Sequence, residues 1–179
     1  MHKHLVVIPI VAPFCCEVVK LMDKVAHETG INPPHYELAP HMSFHRPIHG
    51  VDEAVLRRGL VRVTRLMRQT RATFHGLYAF ERQYIVLPAQ ATLRAATLWV
   101  SINDFLSSLP GYEESEYAGD NTLHVTIAKG VTPVFDQSWP KIQGIQFNPL
   151  TVPIKTIDLY RKSTIRGGWE GVESFHIPE

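Results

Sequence analysis

The sequence predicts an α+β protein in which short strands and amphipathic helices alternate along one domain. Short apolar runs rich in β-branched residues and closed by proline or glycine are typical of strands, and residues 5–8 before Pro9 are the first of them. Between such runs, apolar residues recur at intervals of three and four, which is typical of helices packed on one side. A chain of 179 residues has the size of one compact domain, or of two small lobes that share a core.

The first half of the chain is expected to contain two strands and two helices. A helix follows the first strand and ends at Gly30, because glycine readily adopts the left-handed conformation that closes helices. A second strand starts near Pro40 and runs out at Pro47. The next helix begins near Asp52 and Glu53, whose carboxylates suit the positive end of the helix dipole.

The second half repeats a similar order of elements. Strands are expected at residues 73–80 and 84–87, and a helix runs from about residue 91 to Pro110. The acidic segment 113–116 predicts a surface loop, and a strand follows at 123–128. The tail adds strands around 154–160 and 173–177. The likeness of the two orders suggests two related halves rather than a tandem sequence repeat.

Composition sets broad limits on the class of protein. Hydrophobic residues make up 45% and charged residues 20%, which is ordinary for a globular domain and argues against disorder. The net charge of +1 neither requires nor excludes a nucleic-acid partner. The only two cysteines, Cys15 and Cys16, are adjacent and are expected to be free thiols in a reducing compartment. The sequence shows no apparent leader and no membrane-spanning stretch, so we interpret the protein as cytoplasmic. It is expected to be a monomer without membrane contact.

Two histidines, each followed two residues later by a hydroxyl side chain, carry the functional prediction. Residues two apart in a strand point to the same face, so His41 projects with Ser43, and His124 projects with Thr126. If the two strands face each other across a groove, these four side chains converge. One imidazole could then take a proton and the other give one, while the hydroxyls hold phosphoryl oxygens. This set of groups indicates phosphodiester chemistry.

The bare spacing is a weak signal, because His27 and Thr29 satisfy it too. That pair lies in the last turn of a predicted helix, where residues two apart do not share a face and where histidine suits the dipole. The other two pairs differ because each lies in a short apolar strand, with one in each half of the chain.

In this setting the segments 40–44 and 123–129 resemble the paired signatures of the two-histidine (2H) phosphoesterase superfamily, which includes bacterial 2′-5′ RNA ligases and cyclic phosphodiesterases. The signature is a histidine, any residue, a serine or threonine, and an apolar residue, and it occurs twice. Here 83 residues (124 − 41) separate the histidines. The tail at 157–163 also resembles a late strand of that superfamily, so the likeness spans nearly the whole chain.

The resemblance implies a bilobal α+β fold over residues 1–179, with two antiparallel sheets, flanking helices and pseudo-twofold symmetry. It implies a metal-independent site, without a cofactor, that acts on 2′,3′-cyclic phosphate ends or 2′-5′ phosphodiesters of RNA or nucleotides. By the same resemblance His41 and His124 are the acid–base pair, and Ser43 and Thr126 hold the phosphate. Which histidine is the base stays open.

Other positions bear on substrate binding. Arg46 stands where the superfamily often has phenylalanine, and Trp169 where it commonly has tyrosine, and both could alter how a base is held. Lys129 occupies a position that is often basic. An odd offset from His124 predicts that Lys129 faces away on a regular strand, so it reaches the phosphate only if the strand bends at Gly130. His45 falls on the His41 face.

Three alternatives remain beside the enzyme. His41, His45 and His49 recur every four residues and would align as metal ligands on a helix, although Pro40 and Pro47 argue against a helix there. The protein could instead bind without catalysing a reaction. It would then be a non-catalytic RNA- or nucleotide-binding module on the same fold, or an unrelated small α+β binding domain. An RNA backbone could also contact the arginines of the second helix, which otherwise form a solvated face. These arginines are Arg57, Arg58, Arg62, Arg65 and Arg68.

Overall fold

A computed structural model of the chain describes residues 3–44, 47–110, 112, 123–163 and 167–179. These residues form ten strands and four α-helices, with short 3₁₀ turns at Pro34–Tyr36 and Thr132–Val134. The strands are β1 (Lys3–Pro9), β2 (His41–Ser43), β3 (Ile48–His49), β4 (Thr70–Phe74), β5 (Tyr78–Phe80), β6 (Tyr84–Ala91), β7 (His124–Lys129), β8 (Leu150–Ile154), β9 (Thr156–Lys162) and β10 (Trp169–His176). The helices are α1 (Phe14–Thr29), α2 (Glu53–Leu66), α3 (Leu93–Ser107) and α4 (Phe135–Gln143).

All strand pairs are antiparallel, and the strands form two sheets that share β6. The first sheet has the order β10-β9-β1-β2-β7-β6, with β3 added beside β1 and β5 beside β6. The second sheet continues from β6 through β4 to β8. The expected α+β class with two antiparallel sheets and flanking helices is therefore confirmed.

The centre of the first sheet has matching connections on its two sides. β1 leads through α1 to β2, and β6 leads through α3 to β7. In both cases the strand that follows the helix pairs with the strand that precedes it. β2 and β7 then lie side by side as the central antiparallel pair. This arrangement explains why the element order before His41 resembles the order before His124.

The helices begin and end close to where the sequence predicts. α1 buries Val18, Leu21 and Val25 among others and ends at Gly30, whose φ of 70° lies in the left-handed region. α2 begins after Asp52, whose carboxylate accepts a hydrogen bond of 2.7 Å from the backbone N–H of Ala54.

Several elements differ from the sequence prediction. The strand expected at 73–80 is two strands, β4 and β5, because β4 pairs with the C-terminal part of β6 and β5 with its N-terminal part. The chain leaves one sheet and joins the other between residues 74 and 78. α4 and β8 were not predicted: α4 contains Pro140, which normally argues against a helix, and β8 contains Pro153. The acidic segment 113–116 lies outside the described residues.

A close approach of α2 to α3 depends on one glycine. A β-carbon placed on Gly59 would overlap the ring of Phe105 from α3. Glycine in a helix interior costs about 1 kcal/mol relative to alanine, so this position trades helix propensity for close packing.

We expect Gly59→Ala to destabilise the fold, because overpacking a filled contact costs about 1–3 kcal/mol and exceeds the gain in helix propensity. The free energy of unfolding from urea denaturation measures the effect. Gly76→Ala is the matched control, because a β-carbon there meets nothing within 4 Å. Placing Gly59→Ala in a Phe105→Leu background should relieve part of the loss, and an equal loss in both backgrounds would contradict the steric explanation.

Candidate active site

The pairing of β2 with β7 brings the two histidine motifs together. Met42 lies directly opposite Val125 in this antiparallel pair. Extending the register by one residue in one direction places His41 opposite Thr126. Extending it in the other direction places Ser43 opposite His124. Since residues opposite each other share a face and have β-carbons about 4.5–5.5 Å apart, all four side chains lie on one face of the first sheet, here called the site face.

Burial follows the same alternation. Met42 and Val125 are fully buried on the other face, whereas the four site side chains are half-buried. Phe44, the apolar residue that ends the first motif, is also buried and stacks on Trp99 of α3 with ring centroids 5.2 Å apart. The apolar residues of the motifs therefore anchor the strands, and the polar residues remain accessible.

The motif strands are neighbours in one sheet, so the four side chains come together by strand pairing and not across a groove between separate strands. The antiparallel register makes the two histidines diagonal neighbours, because His41 lies opposite Thr126 and His124 is two residues away. Diagonal neighbours have α-carbons about 7–8 Å apart. One phosphate group fits between two imidazoles at that separation.

The surroundings of His41 define its protonation. Its Nδ1 lies 2.8 Å from the backbone oxygen of Ala39, and a carbonyl only accepts, so Nδ1 carries the hydrogen. The neutral ring then has its lone pair on Nε2. Burial lowers the pKa of His41 below its ordinary value, partly opposed by the hydrogen bond to Ala39. The neutral form of His41 is thus favoured near neutral pH.

A β-bulge changes the position of Lys129. Val86 of β6 lies opposite Thr126, but the next residue, Ile85, lies opposite Ala128, so Ile127 is an extra residue. Ile127 and Ala128 are consequently both buried, and Lys129 is exposed. The orientation away from His124 was predicted for a regular strand, and the bulge, which precedes Gly130, instead returns Lys129 to the site face. Its Nζ lies 3.1 Å from the carboxylate of Glu37.

The register extends the site face beyond the two motif strands. Val7 of β1 lies opposite both Ser43 and Asp158, so Asp158 of β9 belongs to this face. Tyr160, two residues further, shares it. Sequence reasoning missed both, although their even spacing within the predicted tail strand was the available signal.

Aromatic side chains lie on the same face at either side. Trp169 of β10 pairs with Lys162, whose even spacing from Asp158 puts both on the site face, and Lys162 Nζ is 5.2 Å from the Trp169 ring centroid. On the far side, Tyr84 lies opposite Lys129. Flat rings thus border the polar centre on both sides.

The histidines of the metal alternative do not form a helical row. His41 is in β2 and His49 is in β3, and both strands pair with β1. His45 and Arg46 lie outside the described residues. Within the described ranges, no group of three histidine, cysteine, aspartate or glutamate residues could hold a metal ion.

The arginine-bearing helix lies on the opposite face of the sheet. Glu53 at the start of α2 lies 3.3 Å from His4 and 3.3 Å from Arg161, which both alternate away from the site face. Arg57 pairs with Glu53 at 3.1 Å and with Glu173 of β10 at 3.6 Å. The remaining arginines of this set, Arg58, Arg62, Arg65 and Arg68, are exposed. Any RNA that they contacted would lie across the sheet from the two histidines.

No helix in the part of the chain that the structure describes combines the length and apolar character needed to span a bilayer.

The lowered pKa of His41 predicts a pH dependence of stability. Above the ordinary pKa of 6.5 the ring is neutral in both states and contributes nothing. As the pH falls through 6.5, the unfolded chain takes up a proton that the folded protein resists, so the free energy of unfolding decreases until the lowered pKa is reached. In urea titrations, the free energy of unfolding of His41→Gln should therefore fall less than that of wild type between pH 7.5 and pH 5.5. His27→Gln, at an exposed position, is the control, and an unchanged loss in His41→Gln would contradict the burial effect.

Comparison with solved structures supports the fold assignment. TT0787 of Thermus thermophilus matches with a TM-score of 0.68 at 16% identity, over 98% of this chain and 97% of that one. Escherichia coli LigT complexed with 3′-AMP matches with a TM-score of 0.70 at 11% identity, over 99% of both chains. A structure described as a phosphoesterase gives a TM-score of 0.68 at 10% identity, over 99% of both chains.

Neither a family model nor a curated protein sequence matches the chain. The structural matches nevertheless cover almost the whole length of this chain and of each matched chain. The chain therefore has the α+β fold of these solved structures, with two antiparallel sheets and flanking helices, as the resemblance of the two histidine motifs implies.

Proposed function

We propose that the protein is a metal-independent phosphodiesterase acting on 2′,3′-cyclic phosphate ends or 2′-5′ phosphodiester bonds of RNA or nucleotides. The observation that carries the proposal is the β2–β7 register, which sets two imidazoles and two hydroxyls on one face. In hydrolysis of a cyclic phosphate, one group must take a proton from water and another must give one to the departing ribose oxygen. Two histidines separated by one phosphate can fill both roles.

The environment of His41 favours it as the general base. Its Nδ1 hydrogen is engaged by Ala39, so the Nε2 lone pair can accept the proton of the attacking water. The water oxygen forms a bond to phosphorus, the bond from phosphorus to one ribose oxygen breaks, and protonated His124 gives its proton to that oxygen. The product is a nucleoside monophosphate in which that ribose oxygen is a free hydroxyl, with His41 protonated and His124 neutral.

The hydroxyls of Ser43 and Thr126 hold the phosphoryl oxygens in this proposal. Each lies opposite one histidine and two residues from the other, so hydroxyls and imidazoles alternate around the position of the phosphate. Hydroxyl donors aimed at oxygens whose charge grows in the transition state lower its free energy. Lys129, at the end of β7 on the same face, adds positive charge when it leaves Glu37.

Structures with this fold support a nucleotide as substrate. Escherichia coli LigT has been solved in complexes with 3′-AMP, with ATP and with phosphate. A fold that accommodates these ligands in one protein makes a nucleotide or an RNA end a reasonable substrate for this chain.

Replacing either histidine by alanine should reduce kcat for opening a 2′,3′-cyclic nucleotide by about 10²–10⁴-fold, because each proton transfer contributes that much. The assay contains EDTA and compares wild type, His41→Ala, His124→Ala and the double variant. The double variant should lose little more than the single ones, since the pair acts as a unit.

His75→Ala is the matched control, since His75 pairs with Gln90 in the second sheet and should leave kcat unchanged. Full activity in the double variant would exclude this mechanism. A folded wild type that binds the nucleotide and opens none of the tested phosphodiesters would favour the binding module instead.

The division of roles predicts the shape of the pH profile of kcat/KM. The rate rises as His41 loses its proton, and because burial lowers the pKa of His41, the midpoint of this limb lies below 6.5. The mechanism also requires the acid in its protonated form, so the profile has a second, alkaline limb. His41→Gln should remove the acidic limb from the residual activity, and His124→Gln the alkaline one. The reverse pattern would exchange the two roles.

A further inference from the structure

Asp158 lies on the site face at a distance suited to the base of a bound nucleotide. Asp158, Val7 and Ser43 lie directly opposite one another on the neighbouring strands β9, β1 and β2. Two strand spacings therefore separate Asp158 from Ser43. Each spacing is about 4.8 Å, so Asp158 lies about 10 Å from Ser43 across the sheet. A base attached to the ribose that carries the reacting phosphate reaches that far.

A cavity of about 280 Å³ lies between β9 and β10. Asp158, Tyr160, Gly171 and Ser174 line it on the site face, and Glu173, which pairs with Arg57, lines it from the other face. β10 has a bulge between Gly171 and Glu173 here, and the missing side chain of Gly171 leaves space beside the Tyr160 ring. The cavity thus combines an aromatic side chain with a carboxylate.

The charge of Asp158 indicates what kind of group belongs opposite it. A carboxylate near a phosphate site repels the anion, so its partner must be a neutral hydrogen-bond donor. One of its oxygens already accepts a 2.7 Å hydrogen bond from Ser174 Oγ, and the other retains acceptor capacity. Burial raises the pKa of Asp158, while hydrogen bonds from Ser174 and Thr156 and the charge of His176 act in the opposite direction. The carboxylate is therefore poorly hydrated and gains from a donor.

We propose that Asp158 and Tyr160 form a base-specificity pocket in which Asp158 accepts a hydrogen bond from an exocyclic amino group of the substrate base. The pocket then selects cytosine, adenine or guanine over uracil. This inference rests on the proposed function, because it takes the position of the phosphate from the two histidines.

The pyrimidines give the sharpest contrast, because their hydrogen-bonding groups are reversed at positions 3 and 4 of the ring. At position 4, cytosine presents an amino group from which the carboxylate can accept a hydrogen bond, whereas uracil presents a carbonyl oxygen that the carboxylate repels, and the donor of uracil lies at position 3 instead. Tyr160 provides a surface for stacking, which is largely indifferent to the identity of the base. Discrimination therefore falls to Asp158.

Binding of cytidine 2′-monophosphate and uridine 2′-monophosphate, measured by titration calorimetry, tests the pocket without requiring turnover. Wild type should bind the cytidine compound about tenfold more tightly, as one well-placed base contact provides. Asp158→Asn keeps the size of the side chain and can still accept from Ser174. Its amide can accept from cytosine or donate to uracil, so the affinity ratio should fall to about one.

Glu170→Gln is the matched control, because Glu170 lies opposite Arg161 on the other face of the same strand pair, 3.8 Å from its guanidinium, and should retain the wild-type ratio. Equal affinities of wild type for the two nucleotides would overturn the inference, whether or not the variant folds. An equal loss for both nucleotides in Asp158→Asn would overturn it too, because it would indicate a ribose contact.

A parallel turnover assay separates this inference from the proposed function. Selective binding without opening of any cyclic phosphate would reject the proposed activity and retain the pocket. Opening of cytidine and uridine 2′,3′-cyclic phosphates by a wild type that binds both nucleotides alike would reject the pocket alone.

Discussion

The register between β2 and β7 is the constraint on which the proposed site depends. A slip of one residue would turn every side chain of β2 to the other face, which would separate His41 from His124 and bury polar groups in the core. Met42 and Val125 oppose such a slip, because both are fully buried and lie opposite each other. β2 is only three residues long, so its position is also set by β1 on its other side, where Val7 lies opposite Ser43.

The two faces of the first sheet have different electrostatic character. On the face that carries α2, Glu53 forms ion pairs with His4, Arg57 and Arg161, and this group is partly buried. On the site face, the hydroxyls and imidazoles lie together with Lys129, Asp158 and Lys162, and Lys129 is paired with Glu37 at 3.1 Å. The cations that pair with Glu53 thus lie across the sheet from the two histidines.

Local sequence patterns identified the elements that carry the site, but not the way they meet. The alternation in residues 40–44 and 123–128 was sufficient to predict which side chains share a face, because that property depends only on the strand period. Whether the two strands were neighbours or faced each other depends on pairing between segments 83 residues apart (124 − 41), which no local pattern reports. α4 was missed for the related reason that its environment overrides the local effect of Pro140. Asp158 was missed because a carboxylate in a strand looks like an ordinary solvent-facing residue until its neighbours are known.

The extra residue at Ile127 has a consequence for how insertions and deletions act on this strand. Removing Ile127 would turn the end of β7 into a regular strand and leave His124 and Thr126 in place. Ala128 would then follow Thr126 directly and stay in the core, and Lys129 would stay on the site face, because the period of two would run without interruption. A single-codon deletion here would thus shorten the strand without turning either side chain over, whereas straightening the bulge with Ile127 retained would bury Lys129, so the strand end depends on the bulge and the residue count together.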